Sequence, residues 1–354
     1  MCAHMASTTL PGANSSEHTH AISASDSGDI RAEFQGLLSG CGVYDLARRS
    51  KITVTGGDRV RWMNGMVTNN IRDLALGHGV YAFLLNAQGR IQGDLYVFQR
   101  GDSLLVDVEQ EQREKILQLF DRYIIADDVE IADISDKVTA IGLTGPESRP
   151  VMARVGISAA ELGRLQFAEA SWQGNSVSLL RSSEEADESW QVWIVPEHAS
   201  ELWNALVQAG AAPTGAAALN LFRIARGIPQ FGVDIKDRDL PQETGQTRAL
   251  NFTKGCYLGQ EIVERIRSRG AVHRLFTAFT VEGELPEPGM KIVALVGEEK
   301  EAEPKEVGEI TSSAILPTAG GERAVALGYL RREAAEKDLR AGASRINPAS
   351  LPLA

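Results

Sequence analysis

The sequence has few cysteines and no long apolar run. Its three cysteines, Cys2, Cys41 and Cys256, are too few and too widely spaced for a disulfide framework, so we expect a reducing compartment. No uninterrupted apolar stretch approaches the roughly 18 residues that a membrane-spanning helix needs. The first 30 residues contain no Lys or Arg, which argues against a secretory signal and a mitochondrial presequence. These absences predict a cytoplasmic protein, most simply a bacterial one, without a membrane partner.

The net charge of -11 narrows the range of partners. A surface that binds nucleic acid or anionic lipid throughout needs a cationic field, so strong direct nucleic-acid binding is not expected. One segment departs from this balance, because residues 248–274 hold six Lys or Arg and two Glu, a local charge of 6 − 2 = +4. The segment is a candidate anion-binding patch, and a solvated cationic helix face would have the same composition.

Apolar periodicity predicts an α+β fold with antiparallel sheets. Residues 78–109 alternate apolar positions around two glycine-bearing turns, which predicts a three-stranded meander, and residues 109–124 have the period of an amphipathic helix. Meanders followed by helices favour antiparallel α+β lobes over a doubly wound nucleotide fold. Neither GxGxxG nor GxxxxGK[ST] occurs to support such a fold.

The predicted domains follow changes of composition along the chain. Residues 1–28 are rich in Ser, Thr, Ala and His and are predicted to be a disordered tail. Its histidines have no Cys or carboxylate cluster beside them, so no metal site is predicted. Residues 29–274 are the two α+β lobes. Short strands separated by Gly and Pro predict a small β-barrel or sandwich at 275–340, followed by a tail at 341–354.

The most specific stretch is KGCYLGQE, residues 254–261. Leu258, Ile262 and Ile266 recur at i, i+4 and i+8, which predicts a short helix and places Cys256 at or just before its N-terminus. Unpaired amides and the helix dipole favour an anion there, so we expect a thiolate-rich, reactive Cys256. A small, buried and inert cysteine is the alternative.

Two carboxylates stand out elsewhere in the sequence. Asp94 lies inside the apolar strand pattern RIQGDLYVF, where an unpaired charge is costly unless a ligand or a donor meets it. Glu243 lies in a loop with Pro and Gly just ahead of the cysteine segment. Spacing alone does not distinguish such carboxylates from solvated or capping residues.

KGCYLGQEIVER resembles the signature of the YgfZ-type folate-binding proteins. These proteins are relatives of the glycine-cleavage aminomethyltransferase and take part in iron-sulfur cluster assembly or repair. Other segments similar to family landmarks extend the resemblance over most of residues 30–335: GVYDLARRSKITVTGGDRVRWMNGMVTNNI, NAQGRIQGDLYVF, LTGPES, RGIPQFGVDIKDRDLPQE and VGEITSSA. The resemblance implies an aminomethyltransferase-like cloverleaf of three lobes around a channel that holds tetrahydrofolate, with the last lobe a β-barrel.

The resemblance also implies site residues. Asp94 matches, to within one residue, the acidic position beside the folate, and Glu243 resembles the glutamate that contacts the pterin ring, whose N–H groups a carboxylate can accept. The candidate catalytic residues are Cys256 and Asp94. The candidate residues for binding tetrahydrofolate or a derivative are Glu243, Asp94, Lys254, Tyr257 and Arg265.

Three functions remain open from the sequence. The favoured one is a tetrahydrofolate-binding protein that assists iron-sulfur cluster assembly or repair through Cys256, with iron-sulfur client or assembly proteins as partners and any link to tRNA modification indirect. The alternative is a folate-dependent aminomethyltransferase that uses Asp94, although such enzymes tend to carry paired acids at Gly93-Asp94 and lack the cysteine motif. The third is a scaffold whose basic helix docks an acidic partner, RNA included.

Overall fold

A computed structural model describes residues 28–158, 161–182, 188–270, 272–296 and 303–354. Residues 1–27 of the tail predicted at 1–28 therefore lie outside the described residues. The helices within the described ranges are α1 (Ile30–Ser39), α2 (Arg59–Met66), α3 (Gln110–Tyr123), α4 (Ser148–Arg154), α5 (Pro196–Gln208), α6 (Ala216–Ala225) and α7 (Gln260–Arg269). None of these helices combines the length and the apolarity needed to cross a bilayer.

The strands form three sheets. In chain order they are β1 (Gly42–Asp45), β2 (Arg49–Thr55), β3 (Gly79–Leu85), β4 (Ile91–Gln99), β5 (Leu104–Glu109), β6 (Glu130–Asp133), β7 (Thr139–Thr144), β8 (Phe167–Trp172), β9 (Asn175–Arg181), β10 (Ser189–Ile194), β11 (Ala212–Pro213), β12 (Arg274–Glu282), β13 (Lys291–Val296), β14 (Glu303–Thr318), β15 (Gly321–Arg331), β16 (Leu339–Ala341) and β17 (Ser344–Ala349).

The first sheet has the order β3-β4-β5-β2-β6, and all its pairs are antiparallel. The predicted meander is confirmed as β3 to β5, and the predicted amphipathic helix is confirmed as α3. Helices α2 and α3 pack on this sheet, where Met63, Leu95 and Phe120 belong to one buried cluster. Burying such a face against helices is what an alternating apolar strand pattern requires.

The second sheet has the order β11-β1-β7-β10-β9-β8. Strand β1, near the start of the chain, pairs with β7 in antiparallel and with β11 in parallel orientation. The next strand, β2, lies in the first sheet, so the chain contributes to both α+β lobes before either is complete. The core of the second sheet includes Trp172 and Trp190 from its strands and Leu202 from α5.

The third sheet is a closed barrel with the order β12-β15-β14-β13-β16-β17. The predicted C-terminal barrel is confirmed, but the tail predicted at 341–354 is wrong. Strand β17 pairs with β12 and with β16 and so closes the barrel. Its Ile346 is buried in the barrel core, and closure removes the unpaired strand edges that an open sheet would leave.

Helices α1 and α6 join the lobes. Phe34 of α1 and Phe222 of α6 share a buried cluster with Leu316 and Leu327 of the barrel. Other residues of α6, among them Leu219 and Arg223, line a cavity between the lobes.

Candidate functional site

A cavity of about 540 Å³ opens where the two α+β sheets and α6 meet. Its volume lies in the usual range of small-molecule sites. One wall comes from β2, β3, β4 and β5, a second from β1, β7 and β10, and α6 with the loop at 228–231 completes the enclosure. The polar and aromatic side chains of the lining include Tyr44, Arg49, Tyr81, Asp94, Tyr96, Glu109, Thr144, Ser189, Arg223 and Arg248.

Asp94 lies on the cavity wall, where two side-chain donors hold its carboxylate. Tyr81 Oη donates to Asp94 Oδ2 at 2.7 Å, and Gln112 Nε2 donates to Asp94 Oδ1 at 2.7 Å. The expectation that donors meet a charge in this strand is confirmed. Each carboxylate oxygen can accept more than one hydrogen bond, so Asp94 retains acceptor capacity toward the cavity.

Gly93 makes the contact between Asp94 and Gln112 possible. Gln112 reaches the strand from α3, and a Cβ on Gly93 would lie 3.0 Å from Gln112 Oε1 and 3.3 Å from Ile116 Cδ1. The absence of a side chain at position 93 therefore lets the amide approach the backbone of Asp94. Sequence reasoning missed Gln112, although a signal exists: Gln112, Ile116 and Phe120 form the buried i, i+4, i+8 stripe of α3, and a polar residue in such a stripe needs a partner.

Tyr81 is a buried phenol beside the carboxylate. Burial first, and then the negative charge of Asp94, raise the pKa of Tyr81 well above its ordinary value. Tyr81 therefore stays protonated and acts as a donor to Asp94. The guanidinium of Arg248 lies over its ring, 5.1 Å from the centroid.

A buried charge cluster forms the wall next to Asp94. Arg49 Nε donates to both oxygens of Asp107 at 3.0 and 3.1 Å, and its Nη1 pairs with Glu109. Lys51 Nζ donates to Asp107 at 2.9 Å. Burial alone would raise the pKa of Asp107, but Arg49 and Lys51 outweigh it and hold that pKa below its ordinary value. Arg49 also lies 5.5 Å from the ring centroid of Tyr96, so the aromatic face and the charges are fixed together.

A row of hydroxyl groups lines the wall formed by the second sheet. Tyr44 Oη lies 3.0 Å from Thr144 Oγ1, which lies 2.6 Å from Ser189 Oγ. The three residues come from the neighbouring strands β1, β7 and β10, so strand pairing sets their spacing. Burial raises the pKa of Tyr44, and the row therefore offers neutral hydroxyls that can both donate and accept.

Lys254 anchors the cysteine loop to the first lobe and does not line the cavity. Its Nζ donates to the carbonyl oxygens of Asn64, Val67 at 2.5 Å and Asn69 at 2.7 Å, at the end of α2. Burial, and then the positive charge of Arg72, lower the pKa of Lys254 to about 7. The three carbonyl oxygens favour the charged form. The amine of Lys254 is directed at these backbone acceptors, and its contact with a folate stays a prediction.

Cys256 is exposed on the loop that Lys254 anchors. The predicted helix is confirmed as α7, although it begins at Gln260, after an N-cap Gly259 with φ of 81°. A Cβ on Gly259 would lie 2.5 Å from the carbonyl oxygen of Asn86, so the loop packs tightly on the turn between β3 and β4. The alternative of a buried cysteine is wrong, whereas the reactivity of Cys256 stays a prediction. The thiol is not among the groups that line the cavity.

Glu243 is buried away from the cavity lining. It lies in a 3-10 turn at Pro241–Thr244, and its Oε2 accepts hydrogen bonds from Arg274 at 3.0 Å and from the backbone N–H of Leu240 at 3.1 Å. Glu243 is not among the residues that line the cavity, and its contact with a pterin ring stays a prediction. Sequence reasoning could not anticipate that Arg274, 31 residues later, would meet this carboxylate.

Tyr257 and Arg265 also lie outside the cavity lining. Tyr257 is buried in an apolar cluster with Phe83 and Val263, on the same face of the first sheet as Tyr81. Arg265 is exposed on α7 and pairs with Glu261 at 3.3 Å. Of the six predicted site residues, all of them in the described part of the chain, Asp94 alone lines the cavity.

Comparisons with known proteins agree with this fold. The family described as "GCVT N-terminal domain" matches residues 14–254, more than half of the chain. The aminomethyltransferase of Rubrobacter xylanophilus is 30% identical over 307 residues, 86% of this chain and 80% of that protein. The aminomethyltransferase of Streptomyces coelicolor is 27% identical over 317 residues, 86% of this chain and 82% of that protein.

A solved structure shares the whole architecture. The crystal structure of the glycine cleavage system aminomethyltransferase T from Bartonella henselae superposes with a TM-score of 0.78 at 19% identity, covering 92% of this chain and 89% of that chain. At 19% identity, this structural similarity establishes the fold alone. The chain belongs to the GCVT N-terminal domain family and has an aminomethyltransferase-like fold.

Proposed function

We propose that the chain binds a reduced folate in the cavity beside Asp94 and acts there as a folate-dependent one-carbon transferase of the aminomethyltransferase type. The observation that carries the proposal is the carboxylate of Asp94, held by Tyr81 and Gln112 on the wall of a ligand-sized cavity. The names of the relatives favour this function over the iron-sulfur role that the cysteine motif suggested.

The lining groups fit the chemistry of a folate. The remaining lone pairs of Asp94 can accept N–H groups of a pterin, and the hydroxyl row can pair with its polar edge. Tyr96 and Phe231 offer aromatic faces to flat rings. Arginines on the same lining, Arg223 among them, match the carboxylates of a folate tail.

Asp94 has a defined part in such a reaction. A reduced folate supplies amine nitrogens that accept a one-carbon group. Tyr81 and Gln112 fix the direction of the carboxylate, so Asp94 can accept a hydrogen bond from an amine in the cavity and orient it. Because Tyr81 keeps its proton, its hydroxyl remains a hydrogen-bond donor to Asp94.

Titration with tetrahydrofolate tests the binding half of the proposal. We expect saturable binding to the unmodified chain and, for Asp94→Asn, a dissociation constant raised about tenfold or more by the loss of a charged acceptor. Asp102→Asn is the matched control, since Asp102 is an exposed carboxylate on the turn after β4. The proposal fails if the unmodified chain binds no tetrahydrofolate.

A transfer assay tests the reaction. With an aminomethyl group on a lipoyl carrier protein as donor, we expect the rate to fall about 100-fold or more in Asp94→Asn, because the amine loses the carboxylate that orients it. Cys256→Ser should keep the rate, because the thiol does not line the cavity. A loss confined to Cys256→Ser would contradict the assignment.

A second candidate function rests on Cys256. Its thiol is exposed on a loop that Lys254 fixes to three backbone carbonyls, which favours a reactive, well-placed sulfur over a core cysteine. In this function the folate-bound protein assists iron-sulfur cluster assembly or repair. In cells that lack the protein, Cys256→Ser should fail to restore iron-sulfur enzyme activities while the control Cys41→Ser restores them. Full rescue by Cys256→Ser would exclude this role.

A further inference from the structure

Arg223 is a cavity residue held by a network that reaches into the barrel. It lies on α6, where Nε donates to Asn220 Oδ1 at 2.9 Å. Its Nη1 donates to Asp234 Oδ2 at 2.7 Å, and its Nη2 donates to Ser312 Oγ at 3.0 Å. These bonds use three of the five N–H donors of a guanidinium, so two donors remain for a ligand.

Asp234 is the centre of this network and is fully buried. Its Oδ2 accepts from Arg223 and from the backbone N–H of Gln230 at 3.0 Å. Its Oδ1 accepts from Thr311 Oγ1 at 2.5 Å and from Ser312 Oγ at 2.7 Å. A buried charge is tolerated when it is paired and saturated with hydrogen bonds, and these four bonds fix the carboxylate in one orientation.

The two barrel hydroxyls reach Asp234 because β14 carries a bulge. Ile310 pairs with Gly328 and Ser312 pairs with Leu327, which leaves Thr311 as an extra residue. In a regular strand, adjacent side chains point to opposite faces. Here the hydroxyls of two adjacent residues meet the same carboxylate oxygen, a redirection that bulges produce.

We infer that the bulge at Thr311 and Ser312 acts through Asp234 to position Arg223 for an anionic group of the cavity ligand. The inference rests on the proposed function, in which the anionic group is a carboxylate of the folate tail. The described barrel strands supply no residue of the lining, yet they orient one of its cations. Orientation matters because a guanidinium binds a carboxylate best through two parallel N–H bonds, and prior ordering lowers the entropy lost on binding.

Binding measurements on Ser312→Ala test the inference without changing charge. For tetrahydrofolate we expect the dissociation constant to rise roughly threefold to tenfold, because Arg223 loses the hydroxyl that its Nη2 bonds and is held less firmly for the ligand. For a tetrahydropterin without the carboxylate tail, the constant should stay unchanged. Ser313→Ala is the matched control, because Ser313 is the next residue on β14 and carries the same hydroxyl.

Combination with Arg223→Lys separates positioning from general destabilisation. Lys keeps a positive charge beside buried Asp234, so this variant is expected to fold. If Ser312 acts through Arg223, Ser312→Ala causes no further loss of affinity in the Arg223→Lys background, whereas independent effects multiply. Thermal unfolding of each variant checks that the protein is folded in the binding measurements.

The outcomes distinguish failure of the proposed function from failure of the positioning role of the barrel. Absence of saturable tetrahydrofolate binding by the unmodified chain overturns the proposed function and this inference with it. Normal binding by the unmodified chain with an unchanged constant for Ser312→Ala overturns the role of the barrel alone. Equal losses for tetrahydrofolate and for the tail-less pterin also overturn it, because they mean that the whole cavity is disturbed.

Discussion

Asp94 and Gln112 exchange two hydrogen bonds across Gly93. Gln112 Nε2 donates to Asp94 Oδ1 at 2.7 Å, and the backbone N–H of Asp94 donates to Gln112 Oε1 at 3.0 Å. The amide therefore satisfies a backbone donor and orients a carboxylate with the same side chain. Because α3 holds Gln112 in its buried face, the direction of Asp94 depends on how this helix packs on the first sheet.

Replacement of Gln112 by Leu should uncouple Asp94 from α3. The change removes a donor from the carboxylate and leaves the backbone N–H of Asp94 without its acceptor, so we expect a loss of about 1–3 kcal/mol in the free energy of unfolding. The dissociation constant for tetrahydrofolate should rise about tenfold. Gln118→Leu, on the exposed side of α3, is the control for both measurements. Equal effects of the two substitutions would contradict the role of Gln112.

Two Gly→Ala substitutions should change the free energy of unfolding in opposite directions. At Gly93 the new Cβ meets the side chains of Gln112 and Ile116, so we expect a loss of about 1–3 kcal/mol in the free energy of unfolding from overpacking. At Gly65, inside α2, a Cβ meets nothing within 4 Å, and Ala should add about 0.5–1 kcal/mol by restricting the unfolded chain. Denaturant unfolding measures both, and a tolerated Ala at position 93 would show that Gln112 has room to move.

Lys254→Met should weaken the attachment of the cysteine loop. Three carbonyl oxygens at the end of α2 lose their shared donor, and we expect a loss of roughly 2–4 kcal/mol in the free energy of unfolding. The control is Lys115→Met, because the Lys115 ammonium pairs with Asp237 on the partly exposed face of α3. A stability equal to that of the unmodified chain would mean that water replaces the ammonium without cost.

The same lysine predicts a pH dependence with a definite sign. Burial and Arg72 lower its pKa from 10.5 to about 7 in the folded chain. Between these values the unfolded chain holds a proton that the folded chain has released, so the free energy of unfolding rises with pH. We expect the difference between the unmodified chain and Lys254→Met to grow from about pH 7 to about pH 10.5. A constant difference would mean that the carbonyl oxygens keep the ammonium charged.

The two described cysteines should differ in their rate of alkylation. Cys256 is exposed and should react in the folded chain, whereas Cys41 is buried and burial raises the pKa of its thiol. Cys41 should react only through opening of the structure, at a rate lower by about 100-fold or more. Peptide mapping by mass spectrometry after a pulse of iodoacetamide gives both rates and separates them from Cys2. Comparable rates would contradict the packing around Cys41.

Elements with local sequence signals can be read from the amino-acid order alone. Alternation and glycine turns define β3 to β5, the 3.6-residue period defines α3 and α7, and short strands between Gly and Pro define the barrel. These features are readable because neighbouring residues fix backbone hydrogen bonds and the side that is buried. The same alternation marks Asp94 as a charge in an otherwise apolar strand, whereas its expected place beside a folate came from the family resemblance.

The contacts between distant groups depend on the tertiary structure. It placed β1 in the second sheet and β17 in the barrel wall, and it brought Gln112 to Asp94. It also directed Lys254 to the carbonyl oxygen of Asn64, 190 residues away, and Glu243 to Arg274. A buried polar group needs a partner, but its own sequence neighbourhood does not specify which one, because packing of whole elements selects it.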